Sequence, residues 1–333
     1  MSSLPKQLRK VTDKALLRQL EKGLQQVEKA LDSAVSHTDP IAKVTARHLS
    51  AAGGKRVRPT LVLLTAQFGT QPVSDEIIDA SVVVELTHLA TLYHDDVMDN
   101  APMRRGVPSA HEIWGNSVAI LTGDLLFARA SQVVSRLGER ALSLQANTFE
   151  RLCLGQLHET VGPQESDEPV AHYIQVLADK TGSLIAAAAE LGIMFSGADQ
   201  AYREPVREFG ERIGVAFQLI DDVIDLQSDS ATSGKTPGTD LLAGVPTLPT
   251  LYLLQDAATD EASAQLAARV ASVDEGTLAS VVAELAGHPA TNRAYLEAKR
   301  WAESAVAALD PLPNTAAKQA MIAFAEAVVD RQN

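Results

Sequence analysis

The 333-residue sequence has one cysteine, Cys153, few aromatic side chains (4%) and no excess of basic residues. A single cysteine excludes an internal disulfide framework and any multi-cysteine zinc site. Scarce aromatics with abundant alanine and leucine disfavour a β-sandwich and favour helices. Twenty-nine Lys and Arg stand against 42 Asp and Glu, a formal net charge of −13. No basic stripe is visible, which argues against a nucleic-acid partner. The stretch Met1 to Lys10 is polar and lacks the apolar core of a signal peptide. No unbroken apolar run near ~18 residues reads as a membrane span. The rest is ordinary for a globular protein, 46% apolar and 21% charged, which excludes disorder and collagen. A chain this long buries roughly three quarters of its unfolded surface and needs no staple to fold. The expectation is an acidic, soluble, cytoplasmic, all-α protein.

Helical periodicity is clear in Leu16, Leu17, Leu20, Leu24, Val27, Leu31 and Val35, whose spacings describe one apolar face. A second helix is expected after Pro59, and a third from Ser74, with Asp75 and Glu76 in its first turn, to Asp99. Asn100-Ala101-Pro102 stops it. Further helices are expected around 117–136, 138–160, 170–196, 204–227 and 247–258, then through 261–330 with breaks near Gly287-His288-Pro289 and Asp310–Pro313. No segment reads as a convincing strand. The longest loop, Ser228 to Pro246, is rich in glycine and proline, and long loops of this kind often carry function. No linker divides the chain, so residues 1–333 read as one domain.

Two segments repeat a pattern: Asp95-Asp96-Val97-Met98-Asp99 and Asp221-Asp222-Val223-Ile224-Asp225 each end a strongly apolar helical run. On a helix Asp95 and Asp99 share a face, as do Asp221 and Asp225. Like charges one turn apart repel, and a helix C-terminus is already negative. A compensating cation is needed twice over. Hard divalent ions supply it, since Mg²⁺ takes carboxylate oxygens and keeps waters that a phosphate ligand can replace. A single copy reads as well as an exposed acidic helix end; two copies behind apolar sequence do not, because buried carboxylates need partners. The alternating acidic loop of an EF-hand is missing.

Cations complete an anion site. Gly53-Gly54-Lys55-Arg56-Val57-Arg58-Pro59 places three of them behind two glycines at a helix start, where backbone can approach and phosphate is favoured. Arg104-Arg105 follows the first acidic motif, and Lys180-Thr181-Gly182 and Gly234-Lys235-Thr236 add lysines. His88 lies seven residues before Asp95, two turns away on the same face. Each is ordinary solvated surface taken alone; their joint order is not. Nucleotide motifs fail: the position where a P-loop needs its first glycine is Asp229, and no Gly-x-Gly occurs. His158-Glu159 begins like a zincin, but the second histidine position is Gly162.

Taken together these landmarks, from Gly53 to Pro249, resemble the trans-polyprenyl diphosphate synthases, in that family's order. They are Gly54–Pro59, His88–Asp99, Arg104-Arg105-Gly106, Gly123-Asp124, Lys180-Thr181-Gly182, Phe217–Asp225, Gly234-Lys235 and Asp240-Leu241. The resemblance implies an all-α bundle around a deep central cavity, usually a homodimer. It implies that Asp95, Asp99 and Asp221, with Asp96, Asp222 and Asp225, hold Mg²⁺ on an allylic diphosphate. Arg104, Lys180, Thr181, Gln218 and Lys235 would contact the same diphosphate, and Lys55, Arg58, His88 and Arg105 that of isopentenyl diphosphate. The implied reaction ionises the allylic C–O bond, so the leaving group needs electrostatic stabilisation and no Ser or Cys nucleophile.

Short-chain members commonly floor the cavity with an aromatic residue just before the first motif; here Thr87, Ala90 and Thr91 are small. With only Val97 and Met98 between the second and third aspartates, this favours a hexaprenyl to decaprenyl product, a lipophilic precursor for a respiratory quinone side chain. A geranylgeranyl or farnesyl diphosphate synthase is the alternative. A terpene cyclase would not need the second diphosphate's set, and a non-catalytic subunit would not need six aspartates. One departure is Val245 after Gly244, where many members carry lysine before Thr-Leu-Pro.

Overall fold

The computed structural model describes residues 4, 5, 8, 13–36, 39–227 and 237–330. The chain forms two compact units, one from Met1–Arg151, Ser183–Gly210 and Ala308–Phe324, the other from Leu152–Gly182, Glu211–Ala307 and Ala325–Asn333.

In the first unit, α1 (Lys14–Val35) is capped by Asp13, whose carboxylate accepts from Ala15 N and Leu16 N at 2.9 Å. Its buried stripe of Leu16, Leu20, Leu24, Val27, Leu31 and Val35 is the one the periodicity marks, except that Leu17 is only half-buried. Then follow α2 (Pro40–Ala51), α3 (Val57–Thr65) and α4 (Asp75–Met98), the last capped by Ser74. Two residues of ribbon, β1 (Met103–Arg104) and β2 (Val107–Pro108), lead to α5 (Ala110–Trp114) and α6 (Asn116–Val134). Helix α4 is the axis of the unit: α1, α3, α6 and α9 (Ser183–Phe195) all pack on it, so it is buried on every side over 80–87.

Helix α7 (Glu139–Val161) passes from the first unit's residues into the second's. The second unit holds α8 (Pro169–Leu177), a π-helical turn (Ala178–Gly182), most of α10 (Arg203–Gln227), and α11 (Thr239–Leu242), α12 (Leu248–Ala257), α13 (Glu261–Ala271), α14 (Leu278–Gly287) and α15 (Pro289–Ala308). Its core gathers Leu226, Leu241, Leu253, Leu266, Val281 and Leu285. Helix α16 (Ala316–Val329) closes the described chain.

Four features depart from the sequence expectation. Helix α2 has no counterpart among the expected helices, although Asp39 caps it and Pro40 fills its first position. Helix α3 starts at Val57, so Pro59 sits inside its first turn, where no intrahelical donor is needed. The stretch expected as one helix over 170–196 is broken by the π turn. Finally, the ribbon exists because Arg105 (φ 54°) and Gly106 (φ 78°) supply the two left-handed positions of a tight hairpin, without the usual Asn-Gly signal. One helix, Asn116–Leu137, is by length and composition apolar enough to cross a membrane, which the sequence reading passed over; in the structure α6 packs on α4, α5 and α2.

Candidate active site

The first acidic motif ends α4. Towards the end of this helix His88, Thr91, Leu92 and Asp95 are partly open and share one face, with Asp99 exposed at the cap; His94 and Val97 are partly open on other faces. Asp96 points the other way and is fully buried. Arg104 Nε donates to its Oδ1 at 2.6 Å, while Oδ2 has no hydrogen-bond partner. Burial pushes the Asp96 carboxyl above its usual range against the pull of Arg104. The hairpin thus uses its first arginine to hold the motif's middle aspartate.

The cations of the loop before α3 separate into different roles. Lys55 is exposed. Arg56 begins α3 in the left-handed region (φ 47°) and turns inward, 3% exposed. It donates to Glu28 Oε1 and Glu85 Oε1, both at 2.6 Å. Arg105 donates to the carbonyls of Gly53 and, at 3.0 Å, Leu49, and lies 3.8 Å from Glu85. Gly54 packs closely beside it: a Cβ there would stand 3.0 Å from the Arg105 guanidinium. Burial lowers Arg58 to about 10, opposed by Glu85 and assisted by Arg105, and its Nε has no hydrogen-bond partner. Desolvation, then Arg58, Arg105, Arg104 and Arg56, drive His88 well below its ordinary value, so it is a neutral imidazole at physiological pH. Arg58, Arg104 and Arg105 thus all lie near enough to His88 to act on its charge.

Gly123 belongs here too: a Cβ on it would meet His94 Nε2 at 2.3 Å. The imidazole bonds Ile120 O at 3.0 Å and lies 3.4 Å from Asp124, so Gly123-Asp124 packs against the end of the first motif's helix. Of the three residues expected to set chain length, Thr87 and Ala90 are buried and only Thr91 is partly open. The Thr87 hydroxyl donates to Val83 O and that of Thr91 to His88 O.

In the second unit the second motif ends α10 in the same manner. Asp221 and Asp225 are partly exposed, and Asp222 is 3% exposed. Tyr173 of α8 donates to Asp222 Oδ2 and Gln218 adds a hydrogen bond. Desolvation dominates and raises Asp222 to about 8, with Asp240 and Asp221 adding to it. Asp225 accepts from Thr239 Oγ1 at 3.0 Å, and its carbonyl from Gly238 N at 3.0 Å, so the chain resumes α11 docked on the motif. Val245 is anchored by its backbone, N donating to Asp240 O at 3.0 Å. Lys180 sits in the π turn, a device common at functional sites, 2.5 Å from Glu159. Thr181 follows it, partly open. Gly155 lets α7 approach that turn; a Cβ there would lie 2.7 Å from Lys180 N. Lys235 lies outside the described residues.

Sequence reasoning missed Glu85 and Tyr173, the partners that hold the cations and Asp222. Glu85 had a signal, a lone carboxylate inside the apolar run Val82–Leu86, which demands a buried counter-ion. Tyr173 had none.

Among the described residues no three His, Cys, Asp or Glu side chains form a group able to hold a metal ion by themselves. The donor set nonetheless fits magnesium. It consists of hard carboxylate oxygens, one turn apart and open, and Mg²⁺ is commonly held by one or two carboxylates with waters and substrate phosphates.

Comparison with known proteins places the chain in a family. Residues 39–285 match the family model of polyprenyl synthetase. The chain is 42% identical over 309 residues to a nonaprenyl diphosphate synthase of Mycobacterium tuberculosis, covering 93% of this chain and 92% of that one. It is 36% identical to heptaprenyl diphosphate synthase component 2 of Geobacillus stearothermophilus, covering 92% and 94%. A solved geranylgeranyl pyrophosphate synthase from Corynebacterium glutamicum, complexed with calcium and isoprenyl diphosphate, superposes with a TM-score of 0.85. The two are 40% identical, covering 97% of this chain and 99% of that one. The all-α fold, the ordered landmarks and these matches together make the chain a member of the polyprenyl synthetase family, and hence a trans-prenyltransferase.

Proposed function

We propose that the protein condenses isopentenyl diphosphate head-to-tail with an allylic diphosphate to build an all-trans, long-chain polyprenyl diphosphate, the precursor of a quinone side chain. The observation that carries the reaction class is the repeated motif. In both copies the middle aspartate is buried and tied to a neighbour, by Arg104 or Tyr173, while the first and third lie on a more open helix face. Long-chain specificity is supported by the nonaprenyl and heptaprenyl relatives and by small, partly open Thr91; the geranylgeranyl relative keeps the shorter product as the second reading.

In this reading Asp95, Asp99, Asp221 and Asp225 hold Mg²⁺, with Asp96 and Asp222 set beneath them. The metal-binding relative, complexed with calcium and isoprenyl diphosphate, supports a divalent ion. Bound Mg²⁺ would supply charge neutralisation for the departing diphosphate as the allylic bond ionises. Lys55, Arg58 and Arg105 bind the diphosphate of isopentenyl diphosphate, and neutral His88 donates a single N–H to it. Arg104, Lys180, Thr181, Gln218 and Lys235 serve the allylic diphosphate. The Arg104–Asp96 and Lys180–Glu159 pairs hold two of these cations in ordered rotamers before substrate arrives, which lowers the entropic cost of binding.

The two units act as one catalytic domain, a reading supported by a family match that crosses both without a break. The protein is cytoplasmic and homodimeric; Ile113, Ile120, Leu121 and Leu142 are exposed apolar side chains of the first unit suited to a partner surface. A relative named component 2 makes a hetero-oligomer the competing arrangement.

The test is product length. Purified protein with Mg²⁺, isopentenyl diphosphate and farnesyl diphosphate should yield a ladder ending well beyond geranylgeranyl diphosphate. A product ending at farnesyl or geranylgeranyl diphosphate refutes the long-chain assignment. No pyrophosphate release from the chain alone, restored by a second protein, refutes the homodimer.

A further inference from the structure

One carboxylate of the first unit is shared by several cations. Glu85 lies on α4, three residues before His88, and is 2% exposed. It accepts from Arg56 Nη1 at 2.6 Å and stands 3.8 Å from Arg105 Nη2. It is also the foremost opposite charge acting on Arg58. Arg56 does not need it for neutralisation. That guanidinium already reaches Glu28 twice, Nε at 2.6 Å and Nη2 at 3.2 Å, and Ser50 O at 3.3 Å. Among the ion pairs of the described residues Arg105 has no second carboxylate and otherwise rests on two carbonyl oxygens; on Arg58 the attraction of Asp95 is weaker than that of Glu85. Two guanidiniums that must face one diphosphate repel each other in a half-buried site, where water screens them poorly. A fixed carboxylate behind them relieves that repulsion and gives each a preferred direction.

We infer that Glu85 is a positioning residue for isopentenyl diphosphate: it clamps Arg56 and orders Arg105 and Arg58 so that their guanidiniums are presented together to the homoallylic diphosphate. This rests on the assignment of Arg58 and Arg105 to that substrate. Three guanidiniums, Arg56, Arg58 and Arg105, against two carboxylates, Glu28 and Glu85, leave one positive charge, so the cluster stays attractive to an anion while its geometry is held.

The experiment is calorimetric titration of isopentenyl diphosphate into protein with Mg²⁺ and no allylic primer, alongside steady-state kinetics. Glu85→Gln keeps the shape and an acceptor oxygen but removes the charge. It should weaken isopentenyl diphosphate about tenfold, some ~1.4 kcal/mol, and leave the KM of the allylic substrate within about twofold, well under that difference. Glu28→Gln, which removes the carboxylate that pairs with Arg56, should lower the melting temperature and leave that affinity unchanged. Arg58→Ala is the reference for the site. If it weakens isopentenyl diphosphate while folded Glu85→Gln binds as tightly as wild type, Glu85 is only a structural counter-ion and the inference is overturned. If Arg58→Ala also binds normally, the substrate assignment fails with it. Should Glu85→Gln not fold, Glu85→Asp serves: it keeps the charge but withdraws the carboxylate by about 1.5 Å. Its affinity should fall in the same sense, and unchanged binding overturns the inference.

Discussion

Gly192→Ala is a sharp test of how the first unit is built. Gly192 is buried on α9, where that helix crosses α3. A Cβ there would stand 2.0 Å from Thr65 Oγ1, 2.4 Å from Val62 O and 2.9 Å from Ala66 N. Two of these are backbone atoms that no rotamer change can move. Thr65 is held as well, its hydroxyl donating to Leu61 O at 2.9 Å and Val62 O at 3.2 Å. Ordinary contact then requires the helices to part by about 1 Å, given non-bonded separations of ~3.5 Å. Overpacking of this kind costs about 1–3 kcal/mol. We expect the upper end, about 3 kcal/mol, because the strain falls on backbone; for a chain of this length that lowers Tm by about 4 °C. The measurement is a pair of thermal and urea melts, with Gly287→Ala alongside. Gly287 ends α14 with nothing within 4 Å of its would-be Cβ, so alanine should be neutral or stabilise by about 0.5 kcal/mol. If Gly192→Ala melts within about 1 °C of wild type, less than a 1 kcal/mol change would produce, the close approach of α3 and α9 is refuted.

Three further outcomes are expected. Asp95→Ala and Asp221→Ala should abolish pyrophosphate release with the circular dichroism spectrum and Tm preserved; near-normal rates would remove both from the metal set. Thr91→Phe should shorten the product, read by chromatography of the dephosphorylated chains, because Thr91 is partly open. Ala90→Phe should instead destabilise by about 1–3 kcal/mol, since that methyl is fully buried; the reverse pattern would exchange their roles. Burial raises Asp222 from its usual 3.8 to about 8. Above about pH 4 the unfolded chain has released this proton while the folded protein keeps it, so in EDTA stability falls as pH rises towards 8. Asp222→Asn should flatten that slope in melts from pH 5 to 9; parallel curves for variant and wild type would contradict it.

Much of this was legible in the chain because it depends on local order. The α1 stripe, the Ser74 cap of α4 and the two aspartate motifs are set by helical spacing, which sequence states directly. The apolar run Val82-Val83-Val84 likewise marks the middle of α4, yet cannot say what covers it. The break at the π turn, the left-handed hairpin at Arg105-Gly106 and the start of α3 at Val57 were hidden. None of them has a signature at fixed spacing in the sequence, and the π turn sits where α7 comes close, Gly155 against Lys180 N.

The sequence by itself determined the helical class, the repeated acidic motif and the family, because these rest on residue types at fixed short spacing. Only the tertiary structure decided which member of each motif faces outward. It buried Asp96 against Arg104 and Asp222 against Tyr173, and took Arg56 out of the anion site by pairing it with Glu28 and Glu85. It likewise separated open Thr91 from buried Ala90. The reason is physical: burial and charge pairing depend on which distant side chains a fold brings within about 3 Å, the reach of a hydrogen bond, and spacing along one helix carries no record of them.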